Sequence, residues 1–205
     1  MSAETGTLAD TLDHDVLRRA VRERYGRVAT TPETPLGFPV GRTFAQALGY
    51  RPELLDRVPH AAASFTGVGA PVSVAQLRPG ETVLELGSGA GLDTVWAAGE
   101  IQPGGRVIAL DMALPMLATL KANVQDAGAG GVLPVLAEAE AIPLADTSVD
   151  VILVNGIFNL APDKAAVLRE IRRVLRPTGR LVASEVALTT PLEPGEASTL
   201  DDWFR

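Results

Sequence analysis

The sequence predicts an α/β protein built on a doubly wound parallel sheet. From residue 81 onward, five short aliphatic runs alternate with stretches of helical periodicity, and turns rich in glycine or proline interrupt them. One of these runs is continuously apolar, as expected of a parallel strand that is buried on both faces. The predicted strands are Thr82–Leu86, Arg106–Leu110, Val132–Leu136, Val149–Val154 and Arg180–Val186, the last one following a turn at Thr178–Gly179.

Helical segments connect these strands. The third of them places its apolar residues on one face and its Lys, Arg and Glu side chains on the other, which is the pattern of a helix packed on a sheet. Short connections and right-handed crossovers then lead to a sheet with helices on both faces. The predicted helices of this part are Leu92–Glu100, Ala113–Ala127 and Pro162–Leu175.

The segment before the first strand has a different pattern. Asp13 can cap a helix that runs to about Val28, and Pro52 suits the first turn of a second helix. Residues 61–71 are small and glycine-rich, which predicts a loop. The chain thus divides into a cap of helices and loops at 1–78, a core at 79–188, and an acidic, proline-rich tail at 189–205.

Composition excludes several classes of function. The 205 residues are 46% hydrophobic and 21% charged, which suits a globular core. The 18 Lys and Arg against 25 Asp and Glu argue against non-specific nucleic-acid binding. The chain has no cysteine, so it carries no disulfide and no thiolate metal site, and no metal is expected. No apolar run approaches a membrane span and the N-terminus is polar, so we expect a cytoplasmic protein without membrane contact.

The most informative segment is a glycine-rich turn that follows the first predicted strand. Gly87, Gly89 and Gly91 allow the backbone to turn sharply and let a ligand approach without contact to Cβ atoms. The helix that follows offers free N–H groups at its positive end. Asp111 lies 20 positions after Gly91, at the end of the next strand. A carboxylate there can accept both ribose hydroxyls of a nucleoside, and it can also cap the helix from Ala113.

Two classes of nucleoside ligand fit this arrangement. Glu85 precedes the first glycine by two residues, and the spacing is G-x-G-x-G. An acidic side chain repels a pyrophosphate but tolerates a zwitterionic sulfonium, which favours S-adenosylmethionine. An NAD(P)-binding oxidoreductase is the alternative, although the two tyrosines, Tyr25 and Tyr50, form no Tyr-x-x-x-Lys pair.

Several segments resemble a known family. VLELGSGAGLD, RVIALDMALPML, AEAEAIPLADTSVDVILVNGIFNLAPDK and LREIRRVLRPTGRLVASEV look like a class I S-adenosylmethionine-dependent methyltransferase. The GVGAP block at Gly67–Pro71 and NLAPDK at Asn159–Lys164 are most similar to the arsenite methyltransferase branch. The resemblance runs from about Tyr25 to Val186, and it implies a Rossmann-like core that binds S-adenosylmethionine and transfers its methyl group.

The resemblance also implies a set of cofactor-binding residues. Asp111 would bind the ribose hydroxyls, and Met112 would pack on the adenine. Glu138 would face the adenine amino group beside the N–H of Ala139, and Asn155 would face the methionine moiety. The full implied set is Glu85, Gly87, Ser88, Gly89, Gly91, Asp111, Met112, Glu138, Ala139 and Asn155.

The sequence departs from the family in two ways. Val68 and Gly156 stand where the arsenite branch carries cysteines, so we expect a small organic acceptor rather than arsenite. Only 19 residues follow Val186, so we expect the last two strands of the family's seven-stranded sheet to be missing. A homo-oligomer or a partner subunit could then complete the sheet. The alternative function is a methyltransferase-like subunit that binds the cofactor without catalysis.

Methyl transfer from a sulfonium needs alignment more than acid–base chemistry, so we assign no catalytic residue. His14 is expected in a charged helix, and His60 is expected to be an exposed loop residue. Tyr25 could line the site from the first helix. The loops at 30–44 and 61–71 are candidates for a lid and an acceptor pocket, and their apolar side chains are Phe38, Phe44 and Phe65.

Overall fold

The computed structural model describes residues 13–33, 36–190, 199–200 and 202–204. Most of the tail predicted at 189–205 lies outside the described residues. The division of the chain at residues 78 and 79 stays a prediction. Within the described part, no helix is both long and apolar enough to span a bilayer. The cytoplasmic location likewise stays a prediction.

The N-terminal part is helical. Its elements are α1 (His14–Thr30), α2 (Gly41–Ala47), α3 (Pro52–Arg57), α4 (Pro59–Ala63) and a 3₁₀ turn at Pro71–Ser73. The Asp13 carboxylate accepts the N–H groups of Asp15 and Val16, at 2.7 and 3.4 Å, and so caps α1 as predicted. The short helix α2 was not predicted. The predicted loop at 61–71 begins later than expected, because α4 continues to Ala63.

The C-terminal part is a five-stranded parallel sheet with connecting helices. Its elements are β1 (Thr82–Leu86), α5 (Leu92–Glu100), β2 (Arg106–Asp111), α6 (Leu114–Asp126), β3 (Val132–Leu136), β4 (Val149–Asn155), α7 (Lys164–Val174) and β5 (Leu175–Ser184). The strand order is β3-β2-β1-β4-β5, and every neighbouring pair is parallel. This confirms the predicted fold class, including a described sheet of five strands.

The start of β5 differs from the prediction. The strand begins at Leu175, directly after α7, and the predicted turn at Thr178–Gly179 lies inside it. Val149 pairs with Leu175 but Val151 pairs with Arg180, so the intervening residues bulge out of the ladder. A Cβ at Gly179 would lie 2.8 Å from the carbonyl oxygen of Asp150, so this close approach requires glycine.

Burial places the carboxyl-terminal edge of the sheet beneath the cap. β1 is buried along its whole length, and β4 is buried at five of its seven positions. The largest apolar cluster joins the cap to α5 and α6, with Tyr50, Leu55 and Met116 among its buried members. In a parallel sheet all strands end at the same edge. The cap therefore covers the carboxyl ends of β1, β2 and β4.

Candidate functional site

A cavity lies between the cap and the carboxyl ends of the strands. Its floor is the glycine-rich turn after β1 and the ends of β2 and β4, and its roof comes from α1 and from the segment after α4. Clefts at this edge are where doubly wound sheets bind ligands. The main floor residues are Glu85, Gly87, Ser88, Gly89, Asp93, Asp111, Met112 and Asn155, and the roof includes Arg18, Val21, Tyr25, Phe65, Thr66 and Gly67.

The glycine-rich turn has the backbone conformation that its sequence predicts. Gly87, Gly89 and Gly91 have φ angles of 71°, 52° and 93°, in the region that side chains rarely adopt. A Cβ at Gly87 would overlap the Cγ2 atom of Ile157. A Cβ at Gly89 would meet no atom within 4 Å, so the space beside this residue is open to a ligand.

Asp111 lies at the end of β2 and faces this turn. Its carboxylate accepts the N–H of Gly89 at 2.8 Å through one oxygen and the N–H of Ala113 at 2.8 Å through the other. It is 9% exposed, and burial raises its pKa in spite of these hydrogen bonds. Asp111 thus holds the start of α6 and also lines the cavity, so the two roles considered from the sequence coexist.

Two further carboxylates are buried at the cavity floor. Glu85 and Asp93 are each 4% exposed. Thr94 donates its hydroxyl to Glu85, and Tyr50 donates to Asp93 at 2.8 Å. Burial raises the pKa of Glu85 well above its usual range and that of Asp93 to about 6. Arg18 is the one Lys or Arg side chain that lines the cavity in the described part of the chain, so the floor lacks a cation of its own.

Glu138, which sequence reasoning placed at the adenine, has other partners in the structure. It accepts a hydrogen bond from Arg22 at 3.0 Å and forms an ion pair with Arg18 at 3.3 Å, and it does not line the cavity. Ala139 does line it, as does Glu140, which the sequence reading missed. The Glu140 side chain is 11% exposed, and its Oε1 atom is buried without a hydrogen-bond partner, although the Arg18 guanidinium lies 3.5 Å away.

Met112, Ser88 and Asn155 line the cavity as expected. The hydroxyl of Ser88 is buried and has no partner. The amide of Asn155 is fully engaged by protein groups. Its oxygen accepts the N–H groups of Val68 and Gly69, at 2.8 and 3.1 Å, and its nitrogen donates to the Gly69 carbonyl and to Asp93, at 2.9 Å each.

Asp93, which lines the cavity, and its partner Tyr50, which does not, were not indicated by the sequence. Tyr50 is 1% exposed, and burial next to Asp93 raises its pKa far above the usual value. Their hydrogen bond joins residues 43 positions apart, and no spacing rule predicts such a pair. The available signal was weak: an acid in the first helical turn after a glycine loop.

The remaining predicted residues divide between the cavity and the surrounding core. Tyr25 and Phe65 line the cavity. Phe38 and Phe44 pack in the apolar cluster of the cap instead. His14 and His60 are not among the lining residues. Among the residues described, no group of His, Asp and Glu could hold a metal ion.

The two positions where the family resemblance places cysteines are neighbours in the structure. A Cβ built on Gly156 would lie 3.5 Å from the Cγ1 atom of Val68. Gly156 lines the cavity and has a φ angle of 77°. This corner of the site is therefore occupied by an apolar side chain and a glycine, neither of which binds a thiophilic ion.

Comparison with known proteins identifies the family. Residues 77–204 match the family model described as a methyltransferase domain. An arsenite methyltransferase of Halobacterium salinarum is 36% identical over 98% of this chain and 59% of its own length. The ubiquinone/menaquinone biosynthesis C-methyltransferase UbiE of Hahella chejuensis is 35% identical over 56% of this chain and 46% of its own length. The chain thus spans between two fifths and three fifths of these relatives.

Solved structures agree with this result. An arsenic(III) S-adenosylmethionine methyltransferase from Chlamydomonas reinhardtii superposes with a TM-score of 0.51 at 28% identity, over 70% of this chain and 48% of the other. A methyltransferase from Aquifex aeolicus shares the fold, with a TM-score of 0.54 at 23% identity, over 78% and 81% of the two chains. The chain therefore belongs to the class I S-adenosylmethionine-dependent methyltransferase family.

Proposed function

We propose that this chain transfers the methyl group of S-adenosylmethionine to a small organic acceptor. The observation that carries the proposal is the set of three buried carboxylates, Glu85, Asp93 and Asp111, around one open glycine cradle. Buried acids without a cation are costly, and a ligand that brings positive charge relieves that cost. S-adenosylmethionine carries an ammonium and a sulfonium, whereas the pyrophosphate of a dinucleotide would be repelled.

The residues present fit this cofactor. The open space beside Gly89 accepts a ligand that packs directly on backbone, and the unpartnered hydroxyl of Ser88 offers a hydrogen bond. Asp111 would hold the ribose hydroxyls. Met112 and Glu140 would flank the adenine, with Glu140 in the role that the sequence assigned to Glu138.

The reaction requires little of the protein beyond placement. The bound cofactor supplies a methyl group on a sulfonium, which leaves as a neutral thioether. The chain aligns donor and acceptor and excludes water, which are the main contributions open to an enzyme here. The acceptor is proposed to bind against the segment 64–69, which we term the acceptor wall and of which residues 64–67 line the cavity, and against the apolar side chains of Ile157 and Leu160.

The chemistry of this pocket favours a carbon, oxygen or nitrogen acceptor. Trivalent arsenic binds soft thiolate ligands, and this chain has no cysteine. Val68 and Gly156 fill the corner where such ligands would be expected, and the neighbouring lining of Phe65, Ile157 and Leu160 is apolar. An aromatic or otherwise apolar organic molecule suits this lining better than an oxyanion.

Calorimetry with S-adenosylmethionine, S-adenosylhomocysteine and NADH tests the cofactor. Saturable heat with the first two and none with NADH supports the proposal, and binding of NADH alone contradicts it. Transfer of tritium from methyl-labelled S-adenosylmethionine then tests the acceptor, with a phenol, a quinol, an amine and arsenite as probes. Label on an organic probe and none on arsenite is the expected result.

One observation favours a second possibility, a subunit completed by another copy or by a partner. Three large apolar side chains in or after the edge strand β5 are exposed, namely Leu181, Val186 and Leu188, at 38%, 56% and 67%. Exposed apolar residues at a sheet edge invite association. Light scattering tests this: a dimer, or a monomer that binds cofactor but transfers no label, favours the subunit, and an active monomer excludes it.

A further inference from the structure

Asn155 ends β4 and lies between the floor of the cavity and the acceptor wall. If Asn155 were a cofactor ligand, at least one hydrogen-bonding atom of its side-chain amide would be free to bind the cofactor. The amide oxygen instead accepts two backbone N–H groups of the acceptor wall, from Val68 at 2.8 Å and Gly69 at 3.1 Å. The amide nitrogen donates to the Gly69 carbonyl and to Asp93, each at 2.9 Å. An amide has two donor hydrogens, and both are used by protein acceptors.

The backbone of the acceptor wall packs directly on this amide. A Cβ at Gly67 would lie 2.5 Å from the Asn155 side-chain nitrogen, and one at Gly69 would overlap the hydroxyl of Ser184. Neither glycine has a left-handed backbone conformation, so close approach rather than turn geometry explains them. These contacts therefore fix the distance between the acceptor wall and the ends of β4 and β5.

Two buried groups hold the Asn155 amide in this orientation. Asp93, in the first turn of α5, accepts from Asn155 through one oxygen and from the Tyr50 hydroxyl, at 2.8 Å, through the other. Tyr50 is fixed in turn by its ring, which packs edge-on against Phe65 and Trp96, with centroid distances of 5.0 and 5.5 Å. A continuous series of contacts therefore links Tyr50 of the cap through Asp93 to Asn155 at the end of β4.

We propose that Asn155 is a positioning residue that fixes the acceptor wall at a set distance from the methyl donor, with Tyr50 and Asp93 as its supports. This inference rests on the proposed function for the identity of the donor. It assigns Asn155 to the acceptor side of the site rather than to the methionine moiety. Because methyl transfer depends on the alignment of donor and acceptor, the position of this wall determines which acceptors can react.

Two measurements on Asn155→Ala test the proposal. The first is amide hydrogen exchange in the peptide that covers residues 64–71, which should become at least about tenfold faster because the N–H groups of Val68 and Gly69 lose their acceptor. The second is the affinity for S-adenosylhomocysteine by calorimetry, which should stay within about threefold of the wild type. Asp111→Asn is the matched control and should give the reverse pattern.

Conservative variants separate positioning from a general structural role. Tyr50→Phe keeps the ring and removes only the hydroxyl, so exchange in 64–71 should rise while the β1 peptides stay protected. The interchange Asp93→Asn with Asn155→Asp restores a carboxylate–amide pair and an acceptor for Val68 and Gly69, but it leaves the Gly69 carbonyl without the Asn155 donor, so recovery is expected to be partial. The double variant should bring amide exchange in residues 64–71 back towards the wild-type rate. Each single variant should exchange faster than the wild type.

Other outcomes would overturn the proposal. If Asn155→Ala lowered the affinity for S-adenosylhomocysteine more than about tenfold and left amide exchange in residues 64–71 unchanged, Asn155 would be a cofactor ligand. Unchanged exchange in Tyr50→Phe, or no recovery in the interchange variant, would remove the supporting role of Tyr50 and Asp93. If the wild type binds no S-adenosylhomocysteine, the proposed function fails, and the exchange pattern still decides whether Asn155 fixes the wall.

Discussion

Arg22 donates a hydrogen bond to Glu138 at 3.0 Å and thereby joins the first helix of the cap to the loop after β3. The pair lies outside the cavity, while the next acid along the chain, Glu140, lies inside it. Two carboxylates two residues apart thus have different surroundings. Glu138 is paired with Arg18 and Arg22 of α1, whereas Glu140 has one ion pair, with Arg18 at 3.5 Å, and its buried Oε1 atom has no hydrogen-bond partner.

This difference predicts unequal effects of two similar substitutions on cofactor affinity. Glu140→Gln should weaken S-adenosylmethionine binding by about tenfold or more, because a charge-assisted hydrogen bond contributes about 1.5–3 kcal/mol. Glu138→Gln should change it less than about twofold, since an exposed ion pair contributes little. Calorimetry on the two variants measures both effects. A larger loss for Glu138→Gln would return the adenine contact to that residue.

A substitution in the glycine-rich turn can separate the effect of backbone strain from the effect of filling the space proposed for the cofactor. Gly89→Ala should cost about 1–2 kcal/mol of stability, because alanine is strained at a φ of 52°, and its methyl group would occupy the space proposed for the cofactor. Gly49→Ala is the matched control, since Gly49 has a φ of 100° with nothing within 4 Å. Both should unfold at lower denaturant, but only Gly89→Ala should lose cofactor binding. Equal affinity in the two variants would argue against the cradle.

Asp111 is expected to contribute more to binding than any other single side chain. Asp111→Asn keeps the shape and removes the charge that would accept both ribose hydroxyls, so affinity should fall by at least about tenfold. The variant also has one acceptor oxygen fewer for Gly89 and Ala113, so some loss of stability accompanies it. Asp126→Asn, on the exposed end of α6, is the control. Normal binding by Asp111→Asn would contradict the proposed site.

The buried acids predict that cofactor affinity depends on pH. Burial raises the pKa of Asp93 to about 6 and that of Glu85 well above its usual range. A cationic ligand favours the ionised forms, so binding lowers both pKa values and releases protons. Affinity should therefore rise as pH rises through about 6 and fall below it by about tenfold per pH unit for each carboxyl group that must ionise. Calorimetry in buffers of different ionisation enthalpy counts the protons, and Asp93→Asn should flatten the profile.

The same groups set the pH dependence of stability without ligand, with the opposite sign. Their folded pKa values lie above the unfolded ones, so the native state holds more protons than the unfolded state. The unliganded protein should lose stability as pH rises from about 4 to about 6, and the cofactor should restore it. Urea unfolding across this range, with and without S-adenosylhomocysteine, measures the effect. A rise in stability over this interval in the absence of ligand would contradict the assignment.

The sheet could be predicted because its signals are local. Apolar runs such as Val149–Val154 give the first four strands within one residue, and the glycine turn together with Asp111 marks the edge of the sheet at which the cavity lies. The bulge in β5 was missed because it depends on Leu175 pairing with Val149, a contact between distant segments. Helix α2 was missed because no side chain caps its first turn.

The site could be predicted only as far as backbone geometry determined it. The glycines at 87, 89 and 91 could be recognised because a left-handed backbone conformation favours glycine over other residues. Glu138 and Glu140 could not be told apart, since a loop has no periodicity that says which side chain faces inward. Asn155 was placed correctly at the end of β4, but its partners come from the cap, so its hydrogen bonds became visible only with the tertiary structure.

The close packing of Gly67 on the Asn155 amide limits how the enzyme can be altered. A Cβ at position 67 or 69 would overlap Asn155 or Ser184, so these two positions of the wall accept no side chain. Variation in acceptor size must come from positions whose side chains border the cavity, namely Phe65, Ile157 and Leu160. Libraries aimed at a broader range of acceptors should therefore sample these three positions and leave the glycines untouched.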